Sequence, residues 1–220
     1  MRRTYACMFS ILALFAVTTF AQDGADLNLK TVHLFPTNPH DAVMIVKVLK
    51  GSTEIQPDVP FEAGDNWLKQ ISVVVRNVSP SKIVYLNVDA HLPQSGAGTQ
   101  DSPRVAAGNS VGQKPEHAMY SALTGQRRHE SPREPINLEP GRELTVPIVS
   151  QSDYDNIRSL IQSRQSLADL TKCEVWVTTV FFADGTKWAS GAYWRPDAAT
   201  PGKYSLVPAE TWAEMERAAR

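Results

Sequence analysis

The pentapeptide Gly108-Asn109-Ser110-Val111-Gly112 spells the G-x-S-x-G of a nucleophile elbow. In that motif a strained strand-to-helix turn presents a serine beside an oxyanion hole. Here the flanks are Pro103 and Pro115 in a polar stretch. Only Glu116, and no Asp, lies between Ser110 and His117 or His129, and no βαβ series supplies the scaffold. Serine hydrolysis at Ser110 is therefore the weakest functional reading. Ser79-Pro80-Ser81-Lys82 spells S-x-x-K, but it sits in a turn between strand patterns, without the companion K-T-G. The histidines, His33, His40, His91, His117 and His129, show no i, i+4 pairing or known ligand spacing. Asp89 and His91 share one strand face, roughly 6–7 Å apart by strand rise, and two ligands do not make a metal site. Asn77-Val78-Ser79 matches a glycosylation sequon, with Pro80 directly after it. No P-loop, dinucleotide fingerprint or calcium loop is present, and no catalytic residue, metal or cofactor is expected.

One pair remains as a candidate binding surface: Trp176 and Tyr193, which a two-residue hairpin would place opposite each other on the outer face of a sheet. Outward aromatics can stack on sugar rings or anchor a protein partner. The competing expectation is that a helix or the C-terminal segment covers them.

Around these residues the composition is that of a folded chain. Of 220 residues, 42% are hydrophobic and 20% charged, too apolar for disorder. The formal net charge of -1 gives no electrostatic reason to expect nucleic acid or an anionic membrane. Arg2 and Arg3, an apolar run from Tyr5 to Val17, and small residues up to Ala21 read as a secretory signal peptide over residues 1–21, cut after Ala21. Cys7 precedes the apolar run, where a lipobox cysteine would follow it. The mature chain is expected to be exported, periplasmic or secreted, with no span after cleavage. Cys173 is then its only thiol, expected as a small buried hydrophobe and not as half of a disulfide.

Residues 22–40 read as an N-terminal extension or first strand, and 41–197 as one sandwich domain. Strand patterns run over Ala42–Leu49, Ile71–Val78 and Val84–Leu92, the last with Val84, Leu86, Val88, Ala90 and Leu92 on one face. The second and third, joined by the turn Ser79–Lys82, read as a hairpin. The stretch 93–135 reads as a long loop. After a strand at Glu143–Val149, helical spacing of Tyr154, Ile157, Leu160 and Ile161 predicts an amphipathic helix over 152–165, capped by Ser152 with Asp155. Asp184-Gly185 between Glu174–Phe182 and Lys187–Trp194 predicts a type I′ hairpin. That register sets Phe181 against Trp188, Trp176 against Tyr193, and Val175 against Trp194. It puts Val175, Val177, Phe181, Trp188 and Trp194 on the core face. The tail, 198–220, carries a short helix from Ala209 to Arg220.

The pattern as a whole predicts a mainly β protein: an immunoglobulin-like antiparallel β-sandwich with one inserted amphipathic helix and a short C-terminal helix. Phe61–Lys69, Arg76–Ser79, Leu138–Gly141, and Phe182–Trp188 through Arg195-Pro196-Asp197 resemble a group of uncharacterised exported bacterial proteins with a single immunoglobulin-like domain. The likeness spans Phe61 to Asp197. It implies the fold and no activity. The leading expectation is a non-enzymatic domain that binds another envelope or extracellular protein through a sheet edge or the 93–135 stretch. Carbohydrate or cell-wall binding through Trp176 and Tyr193 is the alternative.

Overall fold

Two β-sheets enclose one core in the computed structural model, which describes residues 29–38, 40–93, 105–128, 133–162, 170–208, 211 and 214. The smaller sheet holds β2 (Val43–Lys50), β3 (Thr53–Ile55), β5 (Ile71–Asn77) and β8 (Glu143–Pro147), in the order β3-β2-β5-β8, all antiparallel. The larger, eight-stranded sheet is built on β9 (Lys172–Phe182). Along one edge β9 pairs with β6 (Ile83–Leu92), which in turn pairs with β7 (Val105–Gly112). The other edge meets β1 (Leu29–Leu34) and β10 (Lys187–Ala189). Outside these lie β4 (Phe61–Glu62), β11 (Ala192–Pro196) and β12 (Tyr204–Leu206). Helix α1 (Trp67–Gln70) precedes β5, and α2 (Gln151–Gln162) joins β8 to β9. The chain is thus mainly β and open-sandwich in form. The sheets are not wholly antiparallel: β1 runs parallel to β9.

The alternation of β6 is legible in its burial. Ile83, Leu86, Val88, Ala90 and Leu92 are fully buried in the shared core. A register shift between Ile83 and Tyr85 takes Val84 out of that set and puts Ile83 in its place. Cys173 lies in the same core, where burial pushes its thiol far up from its ordinary value.

Several expectations are corrected. The strands β5 and β6 are not a hairpin, because β2 and β8 already occupy both edges of β5. Ser79–Lys82 instead carries the chain from one sheet to the other, and Asn77, fully buried, holds that corner. Its Nδ2 donates to the carbonyls of Ser81 (2.8 Å) and Leu138 (2.9 Å), and its Oδ1 accepts from the Ser79 N–H (3.0 Å) and hydroxyl (2.7 Å).

The stretch expected as a long loop contains β7, paired with β6 from Leu92↔Val105 to Tyr85↔Gly112. Its Ala, Gly and Ser content hides a strand from any hydrophobic pattern. Helix α2 begins at Gln151, so its cap is Ser150, whose Oγ accepts from the Asp153 N–H (3.1 Å) and donates to the Asp153 carboxylate (2.7 Å). The expected cap pair of Ser152 with Asp155 lies two residues too late. Tyr154 and Ile157 face the core. The signal segment 1–21, the whole 94–104 stretch and nearly all of the expected terminal helix 209–220 lie outside the described residues.

The hairpin after β9 differs in type and register. Phe182 N–H bonds to Thr186 C=O (2.9 Å) and Gly185 N–H to Phe182 C=O (3.0 Å). The loop therefore has three residues, Ala183-Asp184-Gly185, with only Gly185 at positive φ (85°). This is a type I turn closed by a glycine bulge. One added residue flips every side chain that follows. Lys187, not Trp188, pairs with Phe181, and Trp188 pairs with Val180 in the core. Phe181 and Trp194 leave the expected core set, Phe181 because an extra residue in β9, Thr178, turns it from the Val175 face, and Trp194 because the chain folds back at Ser190-Gly191. Val175 and Trp188 belong to the core and Val177 packs partly against it.

Candidate functional site

Two strands share one edge of β9 and do not meet. Strand β1 covers Lys172–Val175 and β10 covers Thr179–Phe181, so among the described residues Trp176, Val177 and Thr178 have no partner strand on that side. Each neighbour leaves for a local reason. Phe35 makes the last bond of the β1 side, N–H to the Val175 carbonyl (3.3 Å), and Pro36 follows. Proline has no N–H with which to extend a ladder. At the other end β10 stops at Ala189, where Ser190 (φ 51°) and Gly191 (φ 79°) turn the chain into β11. Two positive φ values are the signature of a type I′ turn. The turn type expected at Asp184-Gly185 thus occurs six residues later. Ser190 is held in the left-handed region that L-residues disfavour.

The break opens into a cleft of about 740 Å³ between the sheets, lined mainly by Leu34, Phe35, Val43, Met44, Trp176 and Val177. Both strands that floor it are irregular there. β9 carries an extra residue, Thr178, against β6, and β2 carries one, Val46, against β5. Bulges of this kind re-aim side chains and end pairing. Phe35 is 44% exposed and Met44 36%, large apolar groups left at the opening. The rim at Asn38–Asp41 is fixed by the Asn38 N–H to the Asp41 carboxylate (2.7 Å) and the His40 N–H to the Asn38 side-chain oxygen (3.1 Å).

The structure separates the two residues expected to form an aromatic surface. Trp176 lies at the cleft, half-buried, with its ring edge-to-face with Phe35 (4.6 Å) and His91 (4.2 Å). Tyr193 pairs with Trp188, not Trp176. It is buried in the core at 4% exposure, stacked against Phe182 (6.0 Å). The three-residue loop and the early Ser190-Gly191 turn together cause the separation, since neither leaves a long two-stranded ribbon. Sequence reasoning did not single out Phe35 or Met44. The available signal was an apolar Leu34-Phe35 ended by proline.

Ser110 stands mid-strand in β7, not on an elbow. Its hydroxyl donates to Asn87 Oδ1 (2.7 Å) and accepts from the Tyr85 hydroxyl (2.8 Å). Asn87 passes the chain on to Asp89 (2.6 Å) and Thr178 (2.8 Å). His117 is engaged elsewhere, with the Lys203 carbonyl (2.9 Å). Asp89 and His91 do not converge on a shared ligand: one accepts from Asn87 and the other packs on Trp176. Among the described residues no group of three or more His, Cys, Asp or Glu side chains could hold a metal ion.

Compared with protein-family models, with curated proteins and with solved structures, the chain matches none of them. No helix among the described residues is long and apolar enough to cross a membrane.

Proposed function

We propose that this chain is an exported, non-enzymatic binding domain whose cleft takes an extended segment of another protein of the cell envelope or exterior. The observation that carries the reading is the broken edge of β9. Val175 turns its carbonyl to Phe35 on that edge, so by period-two alternation Val177 turns its N–H and C=O the same way. Beyond it no strand follows until Thr179. The gap is three residues, about 10 Å at strand rise. A guest strand would find few backbone bonds there, so side chains in the apolar cleft must supply most of the affinity.

The immunoglobulin-like arrangement belongs to the same proposal. What supports it is the order β2-β5-β8 against β7-β6-β9, with crossings from β5 to β6 and from β8 to β9, the order expected of the A-B-E and C′-C-F strands of that sandwich. Export rests on the signal-like residues 1–21 and is tested by N-terminal sequencing of the released protein, expected to begin at Gln22.

A displayed library of linear peptides tests the cleft. Selected sequences should carry a large apolar anchor, and their affinity should fall roughly 30-fold in Trp176→Ala, the loss of one ~2 kcal/mol hot spot. Met44→Asp should weaken them too. Peptides that bind equally well to both variants would overturn the reading. A glycan would have to compete with Phe35 and His91 for the Trp176 ring, and it is the alternative the same variants expose.

A further inference from the structure

A second pocket, on the other side of the larger sheet, has chemistry unlike the cleft. It encloses about 450 Å³ and is floored by Tyr85, Asn87, Thr179 and Phe181, the outward residues of β6 and β9. Three cationic side chains line it, Lys114, Arg128 and Lys187, and no carboxylate does so among its described residues. Glu116 and Asp89 have partners of their own. Glu116 pairs with Arg127 (3.0 Å) and accepts from the Tyr120 hydroxyl (3.4 Å), while Asp89 accepts from Asn87 (2.6 Å).

Lys187 is the central group. Because of the three-residue hairpin loop it points to the outer face, opposite Phe181 and Trp194. Its ammonium lies over the rings of Tyr204 (4.7 Å) and Trp194 (5.4 Å). No ion pair forms on it among the described residues, and burial pulls its pKa down. Ring faces compensate a cation only in part. Beside it, the Tyr204 hydroxyl is buried with no hydrogen-bond partner among the described residues. Burial pushes its pKa up to about 12, so it remains a donor. A half-buried ammonium and a buried hydroxyl, neither answered by an acceptor among the described residues, are costly unless something supplies one.

The walls are built in advance. Gly202 (φ 82°) brings the β11–β12 turn so close to Tyr120 that a Cβ there would collide with the Tyr120 carbonyl oxygen. The Arg128 N–H donates to the Met119 carbonyl (2.6 Å), which fixes the segment that carries Tyr120 and Arg128. A preformed site loses less on binding than one that must be ordered.

We propose that this pocket binds a small organic anion, a carboxylate or phosphate monoester on a ring-sized body. The charged group would meet Lys187 and Lys114, and the body would lie among Tyr85, Tyr120 and Tyr204. The inference is independent of the peptide cleft.

Isothermal titration of the full chain at low salt tests it with benzoate and phenyl phosphate as anions and benzyl alcohol as the neutral control. Both anions should bind saturably, and the alcohol should not. Lys187→Met should weaken the anions about tenfold or more, the usual consequence of losing a charged hydrogen-bond partner. Lys187→Arg should restore most of that loss. Lys114→Gln, on the pocket wall, should weaken them independently and serves as the test if Lys187→Met does not fold. Affinity should also drop as salt is raised. Failure of either anion to saturate, equal binding of the alcohol, or indifference to a folded Lys187→Met or Lys114→Gln would overturn the assignment.

Discussion

Asn77→Ala should be among the most destabilising single substitutions in the chain. The side chain is fully buried and makes four hydrogen bonds at the corner between the sheets. Two of its partners keep another bond when it is cut away. Leu138 C=O still accepts from the Ile83 N–H (3.0 Å), and Ser81 C=O can take the Ser79 hydroxyl proton (3.0 Å) that Asn77 releases. The Ser79 N–H loses its only acceptor among the described residues, inside a buried residue. With about 1 kcal/mol net for each bond and more for an orphaned buried donor, the loss comes to ~3–4 kcal/mol. For a domain of this size that lowers the melting temperature by roughly 6–16 °C. Asn77→Asp keeps an acceptor for Ser79 but turns a carboxylate toward two carbonyls, and should be at least as damaging at neutral pH. Thermal melts followed by circular dichroism, with urea unfolding as a check, measure both. A drop of less than about 4 °C for Asn77→Ala would refute the claim that this residue fastens the two sheets together.

Gly185→Ala should cost about 1 kcal/mol, because its φ of 85° is unfavourable for a Cβ, and urea midpoints will read it. Ser110→Ala should lose ~1 kcal/mol from the broken Tyr85–Ser110–Asn87 chain while leaving peptide affinity at the cleft unchanged; a loss of that affinity would tie Ser110 to function. Cys173 should resist thiol reagents in the native state and react once the chain is unfolded in urea. The unfolded thiol ionises above its ordinary value of 9.0 while the buried one stays protonated. Stability present in full below that pH should therefore fall as the pH rises, by up to about 1.4 kcal/mol per unit, with Tyr204 adding to the slope above 10.0.

What could be read from the sequence was what local physics decides. The period-two pattern of β6 and the burial of Cys173 follow from hydrophobicity alone, and the helix after β8 from its 3.6-residue spacing. What was hidden depends on counting or on distant partners. An Asp-Gly pair allows a two- or a three-residue loop, and the choice between them decides whether Trp188 or Lys187 stands opposite Phe181. The corner at Asn77 looks like a hairpin turn, or a sequon, until Leu138 arrives from sixty residues away to accept its second bond. Strand β7 carries too few large side chains to announce itself. The cleft was the least legible feature, since it exists only because β1 and β10 come to the same edge of β9 from opposite ends of the chain. Trp176 was noticed for its exposure on a strand, yet its neighbours Phe35 and Met44 are set by that meeting.

Amide exchange at Val177, followed by NMR, tests the central claim most directly. In the free protein this N–H faces the gap and should exchange faster than that of Val175, which lies where β1 still pairs. Saturation with a selected peptide should slow Val177 about tenfold or more if the guest pairs with the open edge of β9. Unchanged exchange at Val177 with the peptide bound would place the partner elsewhere and contradict the account.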